Sequence, residues 1–343
     1  MAAVALCLLL GATPALALGI QDVVNQVSQT QYQTYQVTVQ NMGMGYYGGQ
    51  AYDQGYRDRL GAAGPGSLGN QEARLYLQDQ FDDMGLNVSV HGTYSNVVGE
   101  LLGAKTPDRI YIICGHYDHV AGSVSSGRPG GDDNASGTAA VLEAARILSQ
   151  YQFESTIRFI GFNCEDKSPG LLGSNDYVNN VVKPNHQDIA GVINLDMILR
   201  PGWDSQPSHV KDLNLASTDT DWATTFVTAA DTYVPSLLVN SSFVDYGGSD
   251  HEPFEDAGFP ALLAIENTAY EIWHYGANAY YHGPNDATDL AAGGTYDYAF
   301  ATDVVRATVA TMAGEAVLTP EPATLALLAA GGAMMLLRRR RSK

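Results

Sequence analysis

Two kinds of apolar segment alternate along this chain of 343 residues. Short runs rich in β-branched residues, most of which end at a polar residue, predict strands at residues 86–91, 96–102, 110–114, 156–163, 190–198 and 259–265. Segments with an apolar residue at every third or fourth position predict helices at residues 70–85, 138–151, 173–182, 221–233 and 296–317. Strands that alternate with helices predict a three-layer α/β/α fold with a mostly parallel central sheet.

The pattern is weaker before residue 61. Residues 18–60 form a segment rich in Gln, Tyr and Gly, where alternation at residues 34–40 predicts a strand and much of the rest is expected to be loosely ordered. A turn-rich connector at residues 61–69 leads to a helix that we expect Asn70 to cap. No linker is long enough to require a second domain, so residues 61–318 are predicted to form a single catalytic domain.

Both ends of the chain have the composition of targeting segments. Residues 2–18 are almost wholly apolar and contain Ala15-Leu16-Ala17, which predicts a signal peptide over residues 1–17, although no basic residue precedes the run. At the other end, residues 320–343 consist of Pro-Glu-Pro, an apolar run of 15 residues and then four arginines. This order resembles the PEP-CTERM sorting tail of Gram-negative bacteria. The resemblance implies export, with release or anchoring at the cell envelope through sorting machinery.

Charge and cysteine usage narrow the class of protein. The net charge is −19, and 36 of the 37 acidic but only 13 of the 18 basic side chains precede residue 321, so the body carries −23. Nucleic acid is therefore excluded as a partner. Outside the signal peptide, Cys114 and Cys164 each close an apolar run and are predicted to be buried free thiols; a disulfide between them stays open.

Polar residues follow three of the predicted strands. His116 and Asp118 come after the first of these strands, Glu165 and Asp166 after the second, and Asp196 after the third. The carboxyl ends of parallel strands gather at one edge of the sheet, where functional residues usually lie. A carboxylate next to buried strands is costly unless a cation is present. The arrangement therefore predicts a cation site at this edge.

Two further segments offer ligands. Asp133 lies in a Gly-Asp-Asp-Asn-Ala-Ser-Gly run that opens the next helix, where an Asp or Asn is also a common helix cap. His282 lies in a turn near the C-terminus, where a histidine is commonly a surface residue. Two histidines and several carboxylates suit a pair of divalent ions bridged by a carboxylate, with zinc preferred and manganese or cobalt also suitable. Such a pair activates water, and Glu165 and Asp166 can divide the roles of ligand and base.

The order of these motifs resembles that of the zinc aminopeptidase family, which includes glutamate carboxypeptidase-like and glutaminyl cyclase-like members. The resemblance rests on His-Tyr-Asp at 116–118, Asp-Asn-Ala-Ser-Gly at 133–137, Glu-Asp at 165–166, Asn-Leu-Asp-Met at 194–197, Ser-Asp-His at 249–251 and Tyr-His at 281–282. It implies two zinc ions.

The resemblance also implies roles for single residues. The implied metal ligands are His116, Asp133, Asp166, Asp196 and His282, with Asp133 bridging. Glu165 would be the general base, and Asp118 would orient His116. Tyr281 is either a donor to the oxyanion or a packed aromatic residue.

The sequence departs from the family pattern beside the base. Asp166 is one methylene shorter than the usual glutamate, and Lys167-Ser168-Pro169 replaces what is normally a single residue. The second metal position is therefore the weaker part of the prediction. Asp250 and His251 are expected near the substrate entrance, without an assigned role.

The predicted function is that of an exported bimetallic exopeptidase. The protein would act on a peptide or an N-terminal amino-acid substrate and hydrolyse a terminal bond with metal-activated water, and an aminopeptidase is favoured over a carboxypeptidase. One alternative is a glutaminyl cyclase-like acyltransferase with one zinc, against which His116 and Asp196 argue. The other is a non-catalytic envelope binding module, against which the presence of Glu165 and all five ligand positions argues.

Overall fold

The computed structural model describes residues 19–44, 57–64, 66–120, 129–203, 205–206, 208–244, 248–289 and 296–319. The predicted signal peptide and almost all of the predicted sorting tail lie outside these ranges. Within them, no helix has both the length and the apolar character needed to cross a membrane.

The described chain forms an α/β structure. Its strands are β1 (Asn87–His91), β2 (Asn96–Leu101), β3 (Thr106–His116), β4 (Ser155–Phe162), β5 (Asp188–Leu195), β6 (Leu213–Ala216), β7 (Val239–Val244) and β8 (Ala261–Ile265). Its helices are α1 (Ile20–Val24), α2 (Gln29–Gln40), α3 (Leu68–Asp83), α4 (Ala135–Leu148), α5 (Leu172–Tyr177), α6 (Thr220–Tyr233), α7 (Glu252–Asp256), α8 (Ala269–Tyr275) and α9 (Tyr298–Glu315). A π-helical turn, Val178–Val182, continues α5.

The eight strands form one mixed sheet in the order β1-β2-β4-β3-β5-β8-β6-β7. The central strands β4, β3, β5 and β8 are parallel, whereas β1, β2 and β6 join their neighbours with antiparallel pairings. The predicted fold class is confirmed. Because β3 lies between β4 and β5, the carboxyl ends of these three strands meet at one edge.

Side-chain alternation in the central strands divides the core into two faces. In β3, Tyr111 and Ile113 join a large cluster beneath α2, α4, α6 and α9, while Ile110, Ile112 and Cys114 join a second cluster beneath the π-helical turn and α7. A strand buried on both sides appears in sequence as a continuous apolar run, which is why β3, β4 and β5 were predictable. Both predicted buried thiols are free.

The N-terminal segment is helical where a strand was predicted. Ser28 caps α2 by accepting a hydrogen bond from the N–H of Gln31, and Tyr32, Tyr35 and Val39 form a buried stripe at helical spacing. The strand prediction was wrong because Tyr35, Val37 and Val39 also alternate. The expectation of loose order was wrong for residues 20–44, since α1 and α2 pack against α4 and α9.

Other differences involve short elements and a cap. Strands β6 and β7 and helices α7 and α8 were not predicted, because segments of four to seven residues carry too little periodicity. Helix α3 begins at Leu68 with Ser67 as its cap, and the predicted cap Asn70 instead binds Asn163.

Replacing Gly191 with alanine should destabilise the sheet. A Cβ at Gly191 would lie 2.5 Å from the ring of Trp222, which is held in place because its Nε1–H donates to the carbonyl of Val192. We expect Gly191→Ala to lower the free energy of unfolding in urea by about 1–3 kcal/mol.

The matched control is Gly314→Ala in α9, where the nearest atom to an added Cβ is 3.7 Å away. This change should raise the free energy of unfolding by about 0.5–1 kcal/mol, because alanine favours a helix over glycine. Equal effects of the two substitutions would contradict the packing described for Trp222.

Candidate metal centre

The carboxyl edge of the parallel strands brings the predicted ligands together. His116 is the last residue of β3, Asp196 follows β5 directly, and Asp166 follows β4 after a short turn. Asp133 comes just before α4, and His282 lies in a turn after α8. The five side chains lie within two overlapping groups that meet at Asp133.

The first group surrounds His116. Its Nε2 atom lies 3.4 Å from Oδ1 of Asp133, 3.5 Å from Oδ1 of Asp196 and 3.9 Å from Oε2 of Glu165. The imidazole thus faces three carboxylates with one nitrogen.

The second group surrounds His282. Its Nε2 atom lies 3.1 Å from Oδ2 of Asp133 and 3.2 Å from Oδ1 of Asp166. Asp133 therefore presents one carboxylate oxygen to each histidine, which is the arrangement of a bridging ligand.

The distances around His116 fit metal ligands better than direct ion pairs. A charge-assisted N–H···O bond is about 2.7–2.9 Å long. Ligand atoms arranged tetrahedrally at about 2.0–2.2 Å from a zinc ion lie about 3.3–3.6 Å from one another. Among the described residues, Nε2 of His116, Oδ1 of Asp196 and Oδ2 of Asp166 are buried without a hydrogen-bond partner. These donors fit divalent cations.

The electrostatics of the group indicate a need for positive charge. Burial raises the pKa of Glu165 well above its usual value, and the charges of Asp166 and Asp196 add to the effect against the opposing charge of His116. Burial, together with the charge of Asp133, raises the pKa of Asp166 to about 7. Burial lowers the pKa of His282, but hydrogen bonds to Asp133 and Asp166 outweigh it and raise that pKa to about 10.

His116 is oriented by its own strand end. Its Nδ1 atom lies 3.2 Å from the main-chain oxygen of Asp118 and 3.5 Å from Oδ1 of the same residue. Two acceptors at Nδ1 favour the proton on that nitrogen, so the lone pair of Nε2 points towards the carboxylates. Oδ1 of Asp118 also accepts a hydrogen bond from the N–H of Glu165, which ties the proposed base to the histidine.

Asp196 is held by a two-step relay that sequence reasoning missed. The hydroxyl of Ser249 donates to Oδ2 of Asp196 at 2.7 Å, and Nδ2 of Asn194 donates to the Ser249 hydroxyl at 2.7 Å. Oδ1 of Asp196 is thereby left to face His116. A polar Asn194 within the apolar strand β5 was the available signal.

Local turns explain how neighbouring residues divide their roles. Asn134 caps α4 through Oδ1, which accepts from the N–H of Gly137, while Asp133 beside it faces the centre. The carbonyl of Glu165 accepts a hydrogen bond from the N–H of Leu171, so the longer loop closes on itself. Asp166 reaches His282 despite its shorter side chain.

Left-handed backbone conformations occur at the same place. The non-glycine residues Cys164, Met197 and His282 have φ angles of 63°, 48° and 55°. Each is a ligand of one of the two groups or lies next to one of their members, and such strain commonly occurs at functional sites.

One pocket opens beside the centre. It is lined by Tyr281 and by apolar side chains together with the carboxylates Asp133, Glu165, Asp166 and Asp196. The ring of Tyr281 stacks on His282 with centroids 3.8 Å apart. Burial raises the pKa of the Tyr281 hydroxyl, and the charge of Asp133 adds to the effect, so the hydroxyl keeps its proton at neutral pH.

The expectation that Asp250 and His251 lie near the entrance was wrong. Both are fully buried, because the chain turns inward after Ser249 and begins α7. Ser249 is the member of this motif that contacts a ligand.

Comparisons with known proteins agree with this geometry. Residues 96–303 match the family described as Peptidase family M28. The aminopeptidase YwaD of Bacillus subtilis is 29% identical over 225 residues, which are 64% of this chain and 45% of that protein. A probable zinc metalloprotease of Pyrenophora tritici-repentis is 37% identical over 109 residues, 31% of this chain and 22% of that protein.

The LapA aminopeptidase of Legionella pneumophila has the same fold, with a TM-score of 0.66 at 19% identity over 85% of this chain and 70% of that one. The chain spans less than half the length of the curated relatives it matches.

Removing the Ser249 hydroxyl should loosen Asp196. We expect Ser249→Ala to weaken the binding of one divalent ion by about 10–100-fold, because partners of metal ligands typically contribute this much. The measurement is competition with a chromophoric chelator.

Ser217→Ala is the control, since the Ser217 hydroxyl is also buried but donates to the carbonyl of Ala261 at the start of β8. This control should leave metal affinity unchanged. Unchanged affinity in Ser249→Ala would show that the relay does not orient Asp196.

Proposed function

The chain belongs to peptidase family M28, and from that premise we propose that it is a zinc-dependent aminopeptidase that hydrolyses the amino-terminal peptide bond. The observation that carries the proposal is the bridging arrangement of Asp133 between His116 and His282. The names of two relatives, an aminopeptidase and a probable zinc metalloprotease, support the activity and the metal. Two ligand groups, rather than one, argue against a one-zinc cyclase.

The residues divide the chemistry between them. His116, Asp133 and Asp196 would hold one zinc ion, and Asp133, Asp166 and His282 the other. A bound pair of zinc ions supplies Lewis-acid polarisation of the scissile carbonyl and activates water.

Glu165 is the proposed proton carrier. Its carboxylate lines the pocket beside the ligands, and burial raises its pKa, which makes it a stronger base than an exposed glutamate. It accepts the proton of the attacking water and passes it to the leaving amine. Asp118 holds His116, and the protonated hydroxyl of Tyr281 donates to the carbonyl oxygen as negative charge develops there.

The pocket supports an apolar terminal side chain as substrate. Met197, Leu263, Ile265 and Ile272 line the side of the pocket away from the carboxylates. A leucine-sized side chain would bury its surface there, whereas an acidic side chain would meet the carboxylates of the centre.

We also propose export to the cell envelope or beyond. The support is the apolar segment ending near Ala17 and the Pro-Glu-Pro, apolar and arginine segments after residue 319. Secretion of a reporter fused behind residues 1–25, and its retention in the cytoplasm without residues 2–18, would test this part.

Glu165→Gln should abolish turnover while the protein keeps its metal. The amide cannot accept a proton, so kcat for leucine p-nitroanilide should fall by about 10²–10⁴-fold, which is the usual contribution of a general base. Zinc content per chain is measured on the same samples.

Glu154→Gln is the matched control, because Glu154 pairs with Lys105 at the opposite edge of the sheet. Its activity should equal that of the wild type. A Glu165→Gln protein that retains full activity would refute the assigned base, and a wild-type protein without turnover of any aminoacyl anilide would favour a binding module.

Shortening Ile272 tests the specificity pocket. In Ile272→Ala, kcat/KM for leucine p-nitroanilide should fall about tenfold, because a few methyl and methylene contacts are lost. The alanine substrate is the internal control and should change little, since its side chain does not reach Ile272. An equal loss for both substrates would mean that this pocket does not bind the terminal side chain.

A further inference from the structure

Side chains bind each backbone segment that leads to the bridging ligand. Arg59 donates from Nη1 to the carbonyl of Pro129 and from Nη2 to that of Gly130. Nε2 of Gln36 donates to the carbonyl of Gly131 at 2.7 Å. Three successive carbonyls just before the acidic pair 132–133 are therefore held by residues of the N-terminal segment.

Arg59 joins this loop to two other parts of the fold. It is fully buried, and its guanidinium also donates to the carbonyls of Val39 in α2 and Tyr117 after β3. Burial lowers its pKa to about 10, so the group remains charged at neutral pH. Burying a guanidinium is costly unless its donors are satisfied, and here main-chain carbonyls satisfy them.

Gln36 is fixed from its other side. Its Oε1 accepts a hydrogen bond of 2.8 Å from the hydroxyl of Tyr298 in α9. The side chain is fully buried, so its amide cannot turn to water. Helix α2 thus transmits the position of α9 to Gly131.

Asp286 holds the same loop from the opposite direction. Its carboxylate accepts hydrogen bonds from the N–H groups of Asp132 at 2.9 Å and Asp133 at 3.1 Å. Asp286 lies four residues after His282, so the bridging ligand and the second histidine share one support. The hydroxyl of Tyr296 donates to Asp286 in turn.

The packing leaves little freedom in this loop. Gly130 has a φ of +54°, and a Cβ there would lie 2.3 Å from the carbonyl oxygen of Asp133 and 2.8 Å from Nη2 of Arg59. A displacement of the Arg59 or Gln36 contacts would therefore move the main chain at Asp133 itself.

We propose that Arg59 and Gln36 are positioning residues of the metal centre, which set Asp133 between the two histidines by holding residues 129–131. The N-terminal segment is thus part of the centre, although it precedes the region that matches the family, residues 96–303. The inference rests on the metal centre of the proposed function and not on its peptidase activity.

The test compares two variants of the full zinc-loaded chain with a destabilising control. Gln36→Leu removes the donor to Gly131 at nearly constant volume, and Arg59→Lys keeps the charge but reaches fewer carbonyls. Val23→Ala in α1 removes buried packing in the same segment without touching the loop. Zinc affinity is measured by chelator competition, the ligand field by the absorption spectrum of the cobalt-substituted protein, and folding by urea unfolding.

We expect both positioning variants to bind zinc about 10–100-fold more weakly and to change the cobalt spectrum. Val23→Ala should unfold at lower urea while keeping wild-type affinity and spectrum. Folded Gln36→Leu protein with wild-type affinity and spectrum overturns the inference, and this variant decides alone if Arg59→Lys does not fold. A protein that binds two zinc ions tightly but hydrolyses no peptide refutes the proposed function and leaves this inference standing.

Discussion

The structure depends on the crowding of carboxylates around two imidazoles at the edge of a buried sheet. Asp133, Glu165, Asp166 and Asp196 line one pocket, and their mutual repulsion and burial favour protonation unless positive charge is supplied. A protein that folds with this arrangement must either bind cations there or lose stability as the carboxylates ionise. Binding a divalent pair relieves the repulsion and, through the same contacts, supplies the chemistry of peptide hydrolysis.

The fold meets this constraint with rigid supports. Strand ends deliver His116 and Asp196, a helix cap at Asn134 fixes the residue beside Asp133, and a relay through Ser249 fixes Asp196. None of these supports needs to touch the substrate. Their common effect is to fix ligand atoms before a cation arrives, so that little reorganisation accompanies binding.

Local sequence signals were sufficient for the centre of the sheet. The continuous apolar runs of β3, β4 and β5 end at polar residues, and this pattern survives in a single sequence because a strand buried on both faces has no polar side. The N-terminal helices were missed because Tyr35, Val37 and Val39 satisfy both a strand and a helix period. The partners of Arg59 and the Ser249 relay could not be predicted, since they join residues separated by tens of positions and depend on tertiary packing.

The most direct test of the two-metal centre is anomalous X-ray scattering at the zinc edge from crystals of the zinc-loaded protein. The account predicts two peaks on either side of the Asp133 carboxylate, about 3.5–4 Å apart, one beside His116 and the other beside His282. A single peak would contradict the bridging role of Asp133. No peak at this edge of the sheet, in protein shown to be folded, would contradict the account as a whole.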